Sequence, residues 1–279
     1  MDLYAVIGNP VEHSQSPFIH ARFAEQTGQA MRYERRLSPP DAFAETVRAF
    51  AASGAAGCNV TVPFKTQAPQ LAARRTPRAV LAGSVNTLRF DGDGWWGDNT
   101  DGIGLVRDLT GNARATLSGS RVLLIGAGGA AAGVLGPLLE QRPATFVVAN
   151  RTAAKASALV RTHAAHAHAH GVSLGVAPLD DCGVGFDIVI NATSSSLQGG
   201  KIPVASTVLA DDALALDMMY GPPAHAFLHW AGEHGARGRD GLGMLVEQAA
   251  EAFHFWRSVR PDTAPVLLAL RDRQAGVKT

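Results

Sequence analysis

The chain has 279 residues, 46% hydrophobic and 18% charged, with a formal net charge of +1. That length exceeds one average domain and supplies enough apolar material for two cores. The near-neutral balance argues against a surface built to grip nucleic acid or an anionic membrane, and no apolar run approaches the roughly 18–20 residues that span a bilayer.

Leu3 to Ile7 reads as a buried first strand ending in Gly8-Asn9-Pro10, and the absence of a basic leader makes it a strand rather than a signal peptide. Val11 to Pro17 follows, then a helical pattern carrying Phe18, Ile19, Phe23 and Ala24. Ser16 before Pro17 is the expected N-cap and N1 pair of that helix, which stops near Gly28. A short strand around Met31–Arg35 precedes a second helix carrying Phe43, Val47 and Phe50. In Asn59-Val60-Thr61-Val62-Pro63-Phe64-Lys65 the valines alternate with polar residues until Pro63 stops the strand. Thr61 and Lys65 therefore stand at or beyond the carboxyl end of a strand, where ligands collect in open α/β sheets. Val85 to Gly97, with Asp-Gly turns in its middle, predicts a β-hairpin. Asp101 then sits where a helix N-cap belongs, at the head of a connecting helix near 102–110.

Arg121 to Thr152 is the most informative stretch. An apolar run (Val122-Leu-Leu-Ile125) meets Gly126-Ala127-Gly128-Gly129-Ala130, then an Ala/Leu-rich helix and a second apolar run ending at Ala149. This is a βαβ unit of the nucleotide-binding kind. Gly126 permits the turn, Gly128 permits close approach of a pyrophosphate to the helix N-terminus, and Ala131 stands where a third glycine is usual. NAD-binding units place an acidic residue after the second strand for the ribose hydroxyls. Here the residues are Asn150, Arg151 and Thr152, with Lys155 one turn on. A carboxylate would repel a 2′-phosphate, whereas an amide, a guanidinium and a hydroxyl would hold it, so the expected cofactor is NADP.

Phe186–Thr193 and Leu214–Gly221 read as further parallel strands, and Asp240-Gly241-Leu242-Gly243 opens a long helix before a last one over Val266–Leu270. The histidines at 163, 166, 168 and 170 read as low-complexity drift at an exposed helix end rather than a metal site, since no carboxylate or cysteine accompanies them. Cys58 and Cys182 show no metal-type spacing and read as two buried, reduced thiols of a cytoplasmic protein. No metal is expected.

With these residues laid out, the chain resembles the shikimate dehydrogenase family over essentially its full length. The matching motifs are Gly8-Asn9-Pro10, His13-Ser14-Gln15-Ser16-Pro17, Asn59 to Lys65, Gly83-Ser84-Val85-Asn86-Thr87, Gly97 to Gly102, Gly126 to Ala130, Asn150-Arg151-Thr152, Asn191-Ala192-Thr193-Ser194 and Asp240 to Gln248. The resemblance implies an α/β protein of two domains. An N-terminal α/β substrate domain, completed by C-terminal helices, would take residues 1–101 plus 240–279, and a Rossmann NADP-binding domain residues 102–239. It further implies NADPH-dependent, reversible reduction of 3-dehydroshikimate to shikimate in aromatic amino-acid biosynthesis.

Carried over by position, Lys65 and Asp101 would be the catalytic pair. Ser14 and Ser16, with Tyr220, would hold the substrate carboxylate. Thr61, Asn86, Asp101 and Gln248 would bind the ring hydroxyls, and Met218 and Gly241 would line the nicotinamide pocket. Pro77, where many relatives carry an acidic residue, is left out of the site. The implied partner is a small-molecule substrate, without nucleic acid or membrane, and a homodimer is left open. Closest among rival readings is a quinate/shikimate dehydrogenase with broader substrate use or NAD preference.

Overall fold

The computed structural model of the chain describes residues 1–193 and 202–276; Ser194, the last residue of one motif above, lies outside them. The backbone divides into two units. The first is Met1–Gly104 with Val246–Thr279 and the second is Leu105–Leu245. Both junctions fall inside helices, a few residues beyond the 101/102 and 239/240 positions read from the sequence.

In the first unit, β1 (Asp2–Gly8), α1 (Ser16–Thr27), β2 (Met31–Leu37), α2 (Phe43–Ala52) and β3 (Gly57–Val60) form a parallel αβ layer. Gly28 ends α1 in the left-handed region at φ 65°, a conformation glycine adopts without a Cβ penalty. After two 3-10 turns, at Phe64–Thr66 and Ala68–Leu71, come β4 (Arg74–Arg75), α3 (Pro77–Ala82), β5 (Thr87–Arg89) and β6 (Trp96–Asp98). The sheet order is β2-β1-β3-β5-β6-β4, with β5 antiparallel to both its neighbours. Phe43, Val47, Phe50, Cys58, Phe64 and Leu88 fill the core on one face, while Tyr4, Ala252 and Trp256 pack on the other. The parallel strands reverse direction of winding between β1 and β3, so the loops after Gly8 and after Val60 open on one crevice. Their closeness depends on Gly8: a Cβ there would lie 2.2 Å from Thr61 Cγ2.

α4 (Asp101–Arg107) starts in the first unit and runs into the second. There β7 (Arg121–Ile125), α5 (Gly129–Leu139), β8 (Thr145–Ala149), α6 (Ala153–Ala169), β9 (Ser173–Ala177), β10 (Phe186–Asn191), β11 (Leu209–Asp217), α7 (His225–Glu233) and β12 (Arg237–Arg239) follow. Every strand pairing in this sheet is parallel and the order is β12-β11-β10-β7-β8-β9, the doubly wound Rossmann arrangement. Side chains alternate between two cores. Val122, Leu124, Ile188 and Ile190 enter one with Val134 and Leu138 of α5, and Leu123, Ile125 and Val189 enter the other with Phe227 of α7. This double burial explains the unbroken apolar runs in the sequence. α8 (Leu242–Arg257) returns the chain to the first unit, and α9 (Ala264–Gln274) ends it. No helix of the described residues is long and apolar enough to cross a membrane.

Candidate active site

The first unit gathers polar groups at the carboxyl ends of β1 and β3. Lys65, on the 3-10 turn just past β3, places its Nζ 2.6 Å from Asp101 Oδ2. The lysine side chain is 24% exposed and the aspartate 7%, so the lysine is the more open partner of the pair. Asp101 Oδ1 accepts from Asn86 Nδ2 at 2.8 Å. Gln248 of α8 adds its Oε1 as acceptor to Thr100 Oγ1 at 3.3 Å and lies 3.5 Å from Asn86 Nδ2. Gly104 allows α8 this near, because a Cβ there would stand 2.6 Å from the Gln248 backbone N. Thr61 is tied in by its backbone N–H to Ile7 O at 2.9 Å. On the loop after β1, Ser14 Oγ donates to Ser16 Oγ at 3.2 Å and accepts from the Ser16 N–H at 3.3 Å. Arg35 Nη2 and Nε both donate to the Ser14 carbonyl, at 2.6 and 3.0 Å, which fixes the loop from the β2 side.

Two local readings need correction. Ser16 is the first residue of α1 rather than its N-cap; Gln15 holds that position and makes no side-chain cap. The hydroxyl that meets the helix start is Ser14's, since Pro17 supplies no N–H. Asp101 likewise begins α4 without capping it: its N–H goes to Asn99 Oδ1 at 3.2 Å and its carboxylate is taken by Asn86 and Lys65. Behind this loop, Asp98 is fully buried and binds Arg78 and the Thr76 hydroxyl, while Arg78 also reaches Glu251 of α8 at 2.9 Å. Arg78, Asp98 and Glu251 were not singled out in the sequence, although buried ion pairs tie α3, the 98–101 loop and α8 together.

In the second unit, a cleft of about 380 Å³ is lined by Gly126, Ala127, Gly128, Asn150, Arg151, Thr152, Lys155, Leu179, Ala192, Thr193 and Pro203. It lies at the carboxyl ends of β7, β8 and β10, where the strand order reverses. Its volume is in the range of small-molecule and cofactor sites. Gly126 has φ 117°, closed to most side chains, and a Cβ there would press on the Ala192 backbone at 3.1 Å. At Gly128 and Gly129 a Cβ would meet nothing within 4 Å, so the backbone faces open space at the N-terminus of α5. A side chain would occupy the very space a pyrophosphate needs. Ala130 follows in the first turn, and Ala131 is fully buried against the sheet, as a tight helix–strand contact requires.

Among the described residues, the lining includes two cations and no carboxylate. Asn150 is folded back by an Nδ2 bond to Thr152 O at 3.0 Å, leaving Arg151 and Lys155 exposed. These residues therefore fit NADP: a glycine cradle for the diphosphate and a cationic end without the acid that an unphosphorylated ribose would want. On the other side of the switch, Asn191 Nδ2 donates to buried Asp217 at 2.9 Å, and Asn191 Oδ1 accepts from both the hydroxyl and the N–H of Thr193. Asp217 in turn accepts from the Met219 N–H at 2.8 Å. Met218 and Gly241 meet there, because a Cβ at Gly241 would fall 2.2 Å from Met218 O. Tyr220 follows, half-buried, its phenol pKa raised by burial. Leu179, Ala192, Thr193 and Pro203 of the lining, and Asp217 behind it, were missed as site residues; only Ala192 and Thr193, inside the Asn-Ala-Thr motif, carried a signal.

The histidine tract also departs from expectation. His163 is buried, its Nδ1 2.9 Å from Leu159 O, and burial lowers its pKa. It is a buried residue of α6, whereas His168 is exposed and His166 and His170 are partly exposed. Among the described residues no cluster of three or more histidines, cysteines or acids is placed to hold a metal.

Three family models match the chain in order. They describe the shikimate dehydrogenase substrate binding domain over residues 6–88, shikimate / quinate 5-dehydrogenase over 108–199 and the shikimate 5'-dehydrogenase C-terminal domain over 241–271. A shikimate dehydrogenase (NADP(+)) of Methylibium petroleiphilum is 62% identical, covering 100% of this chain and 97% of its own length. Among solved structures, an Ael1 enzyme from Pseudomonas putida superimposes with a TM-score of 0.91 at 45% identity, covering 97% of this chain and 98% of its own. The shikimate 5-dehydrogenase of Thermus thermophilus, solved with NADP(H) and shikimate, gives 0.85 at 30% identity over 98% of this chain and 100% of its own. Matched from its first strand to its last helix, in both units and at both sets of loops, the chain belongs to the shikimate dehydrogenase family.

Proposed function

We propose that the chain is an NADP-dependent shikimate dehydrogenase, an oxidoreductase that reduces the ketone of 3-dehydroshikimate to the alcohol of shikimate and runs the reaction in reverse. The observation that carries this reading is the Lys65–Asp101 pair at 2.6 Å, set among neutral hydrogen-bonding groups on the substrate-domain loops. The curated relative's NADP dependence agrees with the acid-free lining of the cleft in the second unit.

When bound, NADPH supplies the hydride. Everything else falls to side chains. A hydroxylated ring carboxylate needs many directional partners, and Ser14 and Ser16 would take its carboxylate. Thr61, Asn86 and Gln248 would take ring hydroxyls, and a substrate lacking one of these groups would leave a buried polar atom unpaired. Reduction of a ketone builds negative charge on its oxygen. Lys65 presents an ammonium held by Asp101, which would stabilise that charge and stand ready to donate the proton. Asn86 keeps Asp101 oriented, so that the carboxylate serves the lysine and not the solvent.

Lys65→Ala should lower kcat for shikimate oxidation by about 10³-fold or more, in the range of losing an electrostatic and general-acid group together. Steady-state rates with NADP and shikimate check it, and a variant that turns over within tenfold of the wild type would sink the reading. The same assays with quinate and with NAD would test the breadth of the site; preference for that pair would favour the quinate-type enzyme.

A further inference from the structure

We infer that Tyr33 is a positioning residue of this active site, holding the Lys65–Asp101 pair in place through a buried chain of hydrogen bonds over Asn59, Thr87 and Asn86. Tyr33 lies on β2, one strand beyond β1 from the catalytic loops, and touches no reacting group.

The chain of bonds begins where Tyr33 Oη donates to Asn59 Oδ1 at 2.7 Å. Asn59 Nδ2 donates to Thr87 Oγ1 at 3.0 Å and to the Asn86 carbonyl at 3.2 Å. Thr87, having accepted, donates its own proton to Asn86 Oδ1 at 2.9 Å. Asn86 Nδ2 then donates to Asp101 Oδ1, and Asp101 Oδ2 takes Lys65.

Two backbone groups fix the polarity of every link. The Asn86 carbonyl faces Asn59 Nδ2, so flipping the Asn59 amide would set oxygen against oxygen. The Thr100 N–H faces Asn86 Oδ1 at 2.9 Å, so flipping Asn86 would set N–H against N–H. With both amides pinned, Asn59 Oδ1 faces Tyr33 as an acceptor, and the phenol donates to it. The phenol is suited to that duty. Burial holds its pKa well above the ordinary value, so it stays protonated, and the neighbouring Ser16 hydroxyl only partly opposes the shift.

His20 fixes the plane of the Tyr33 ring. Its ring stacks on Tyr33 at 4.2 Å and 13°, fully buried among Phe23, Phe253 and Trp256, and neither of its nitrogens has a hydrogen-bond partner. His20 therefore serves as a flat plate against the Tyr33 ring, and of the two polar groups beside the phenol, Asn59 and Ser16, the short bond goes to Asn59. Asn59, Thr87, Asn86 and Thr100 are each 7% exposed or less, so the inner links are closed to water, while Tyr33 at the outer end is half-buried. Removing the Tyr33 hydroxyl leaves Asn59 Oδ1 without that donor and weakens, through Thr87, the hold on the amide that orients Asp101.

The test uses the full-length enzyme with NADP and shikimate. Tyr33→Phe keeps the ring on His20 and removes only the donor, and Thr87→Val cuts the chain of bonds at its middle with little change in volume. Each should lower kcat about tenfold, the scale of one buried hydrogen bond lost at a catalytic group, while KM for NADP stays within twofold. Thr87→Ser keeps the hydroxyl and should restore at least half of the wild-type kcat. Wild-type kcat in both Tyr33→Phe and Thr87→Val would overturn the inference. So would a Thr87→Ser enzyme as slow as Thr87→Val, because packing of the methyl would then be the cause. If Tyr33→Phe fails to fold, the Thr87 pair decides alone. The inference rests on the Lys65–Asp101 reading, and the two fail differently. An active Lys65→Ala enzyme removes both, whereas an inactive Lys65→Ala enzyme beside wild-type kcat in Tyr33→Phe and Thr87→Val removes only this one.

Discussion

By position alone, Asp101 could have been a helix cap, and Asn99 is what relieves it of that duty. Once the Asn99 side chain takes the Asp101 N–H, the carboxylate is left for Asn86 and Lys65. Such swaps set the limit of what the residues disclosed. The family resemblance, carried over by position, proposed Lys65, Asp101, Asn86 and Gln248, and their amides and charge pair suit a site for a hydroxylated acid. It did not name Tyr33, Asn59 or Thr87 as a chain, since a donor's direction depends on neighbours distant in sequence. His20 is the extreme case: in the sequence it is one histidine in an amphipathic helix, in the structure a neutral core residue with a pKa lowered to about 3 by burial. The sign of the resulting pH effect follows from the free value of about 6.5. Between these values the unfolded chain binds the proton and the folded chain does not, so stability falls as the pH drops from 6.5 toward 3. His20→Phe should remove that part of the slope. Its loss of unfolding free energy between pH 7 and pH 5 should be about 2 kcal/mol smaller than the wild type's, read by urea denaturation. Equal losses would mean that His20 is charged in the folded protein or is not buried in solution.

At the scale of elements, the long buried strands and their helices were legible, because a strand covered on both faces must read as an unbroken apolar run. The short edge pieces were not. β4 has two residues and β12 three, and β9 is a half-buried edge strand with weak alternation; their existence depends on the neighbour they pair with. Helix–helix approach was equally hidden. Gly104 looks like a poor choice inside α4, where alanine would ordinarily gain about 1 kcal/mol of helix propensity. Its role is clearance. A Cβ would meet Gln248 N at 2.6 Å and Cα at 2.8 Å, and backbone atoms cannot swing aside as a side chain can. Gly104→Ala should therefore destabilise by about 1–3 kcal/mol in denaturant unfolding, the usual cost of overpacking, despite the better propensity. It should also raise KM for shikimate, as Gln248 is pushed from Thr100. A neutral or stabilised variant would show that α4 and α8 have room to part.

At the scale of the whole molecule, the chain enters the second unit through α4 and leaves it through α8, so the first unit is assembled from both ends of the sequence. Each unit has its own sheet, its own cores and its own strand-order reversal, and each reversal carries one set of candidate site residues. That the C-terminal helices rejoin the first unit could not be read from periodicity, which is blind to what a helix packs against; it came only with the family resemblance. Separate cores predict separable energetics. Arg151 lies in the second unit on an exposed turn beside Thr152 and Lys155, and Lys65 in the first. Arg151→Ala should weaken NADP by roughly 1.5–3 kcal/mol, the scale of a charge-assisted hydrogen bond, and weaken NAD far less, because only NADP carries the 2′-phosphate. Lys65→Ala should leave the Kd for NADP within twofold of wild type while turnover collapses. In the double variant the binding loss should match that of Arg151→Ala alone and the turnover loss, at saturating NADP, that of Lys65→Ala alone, since sites with no shared partners add. Fluorescence titration with NADPH and steady-state rates measure the two halves independently. Equal weakening of NAD and NADP would remove the phosphate role from Arg151. A marked departure from additivity would mean that the two units respond to each other's ligands, and that binding in the second is felt at the Lys65–Asp101 pair in the first.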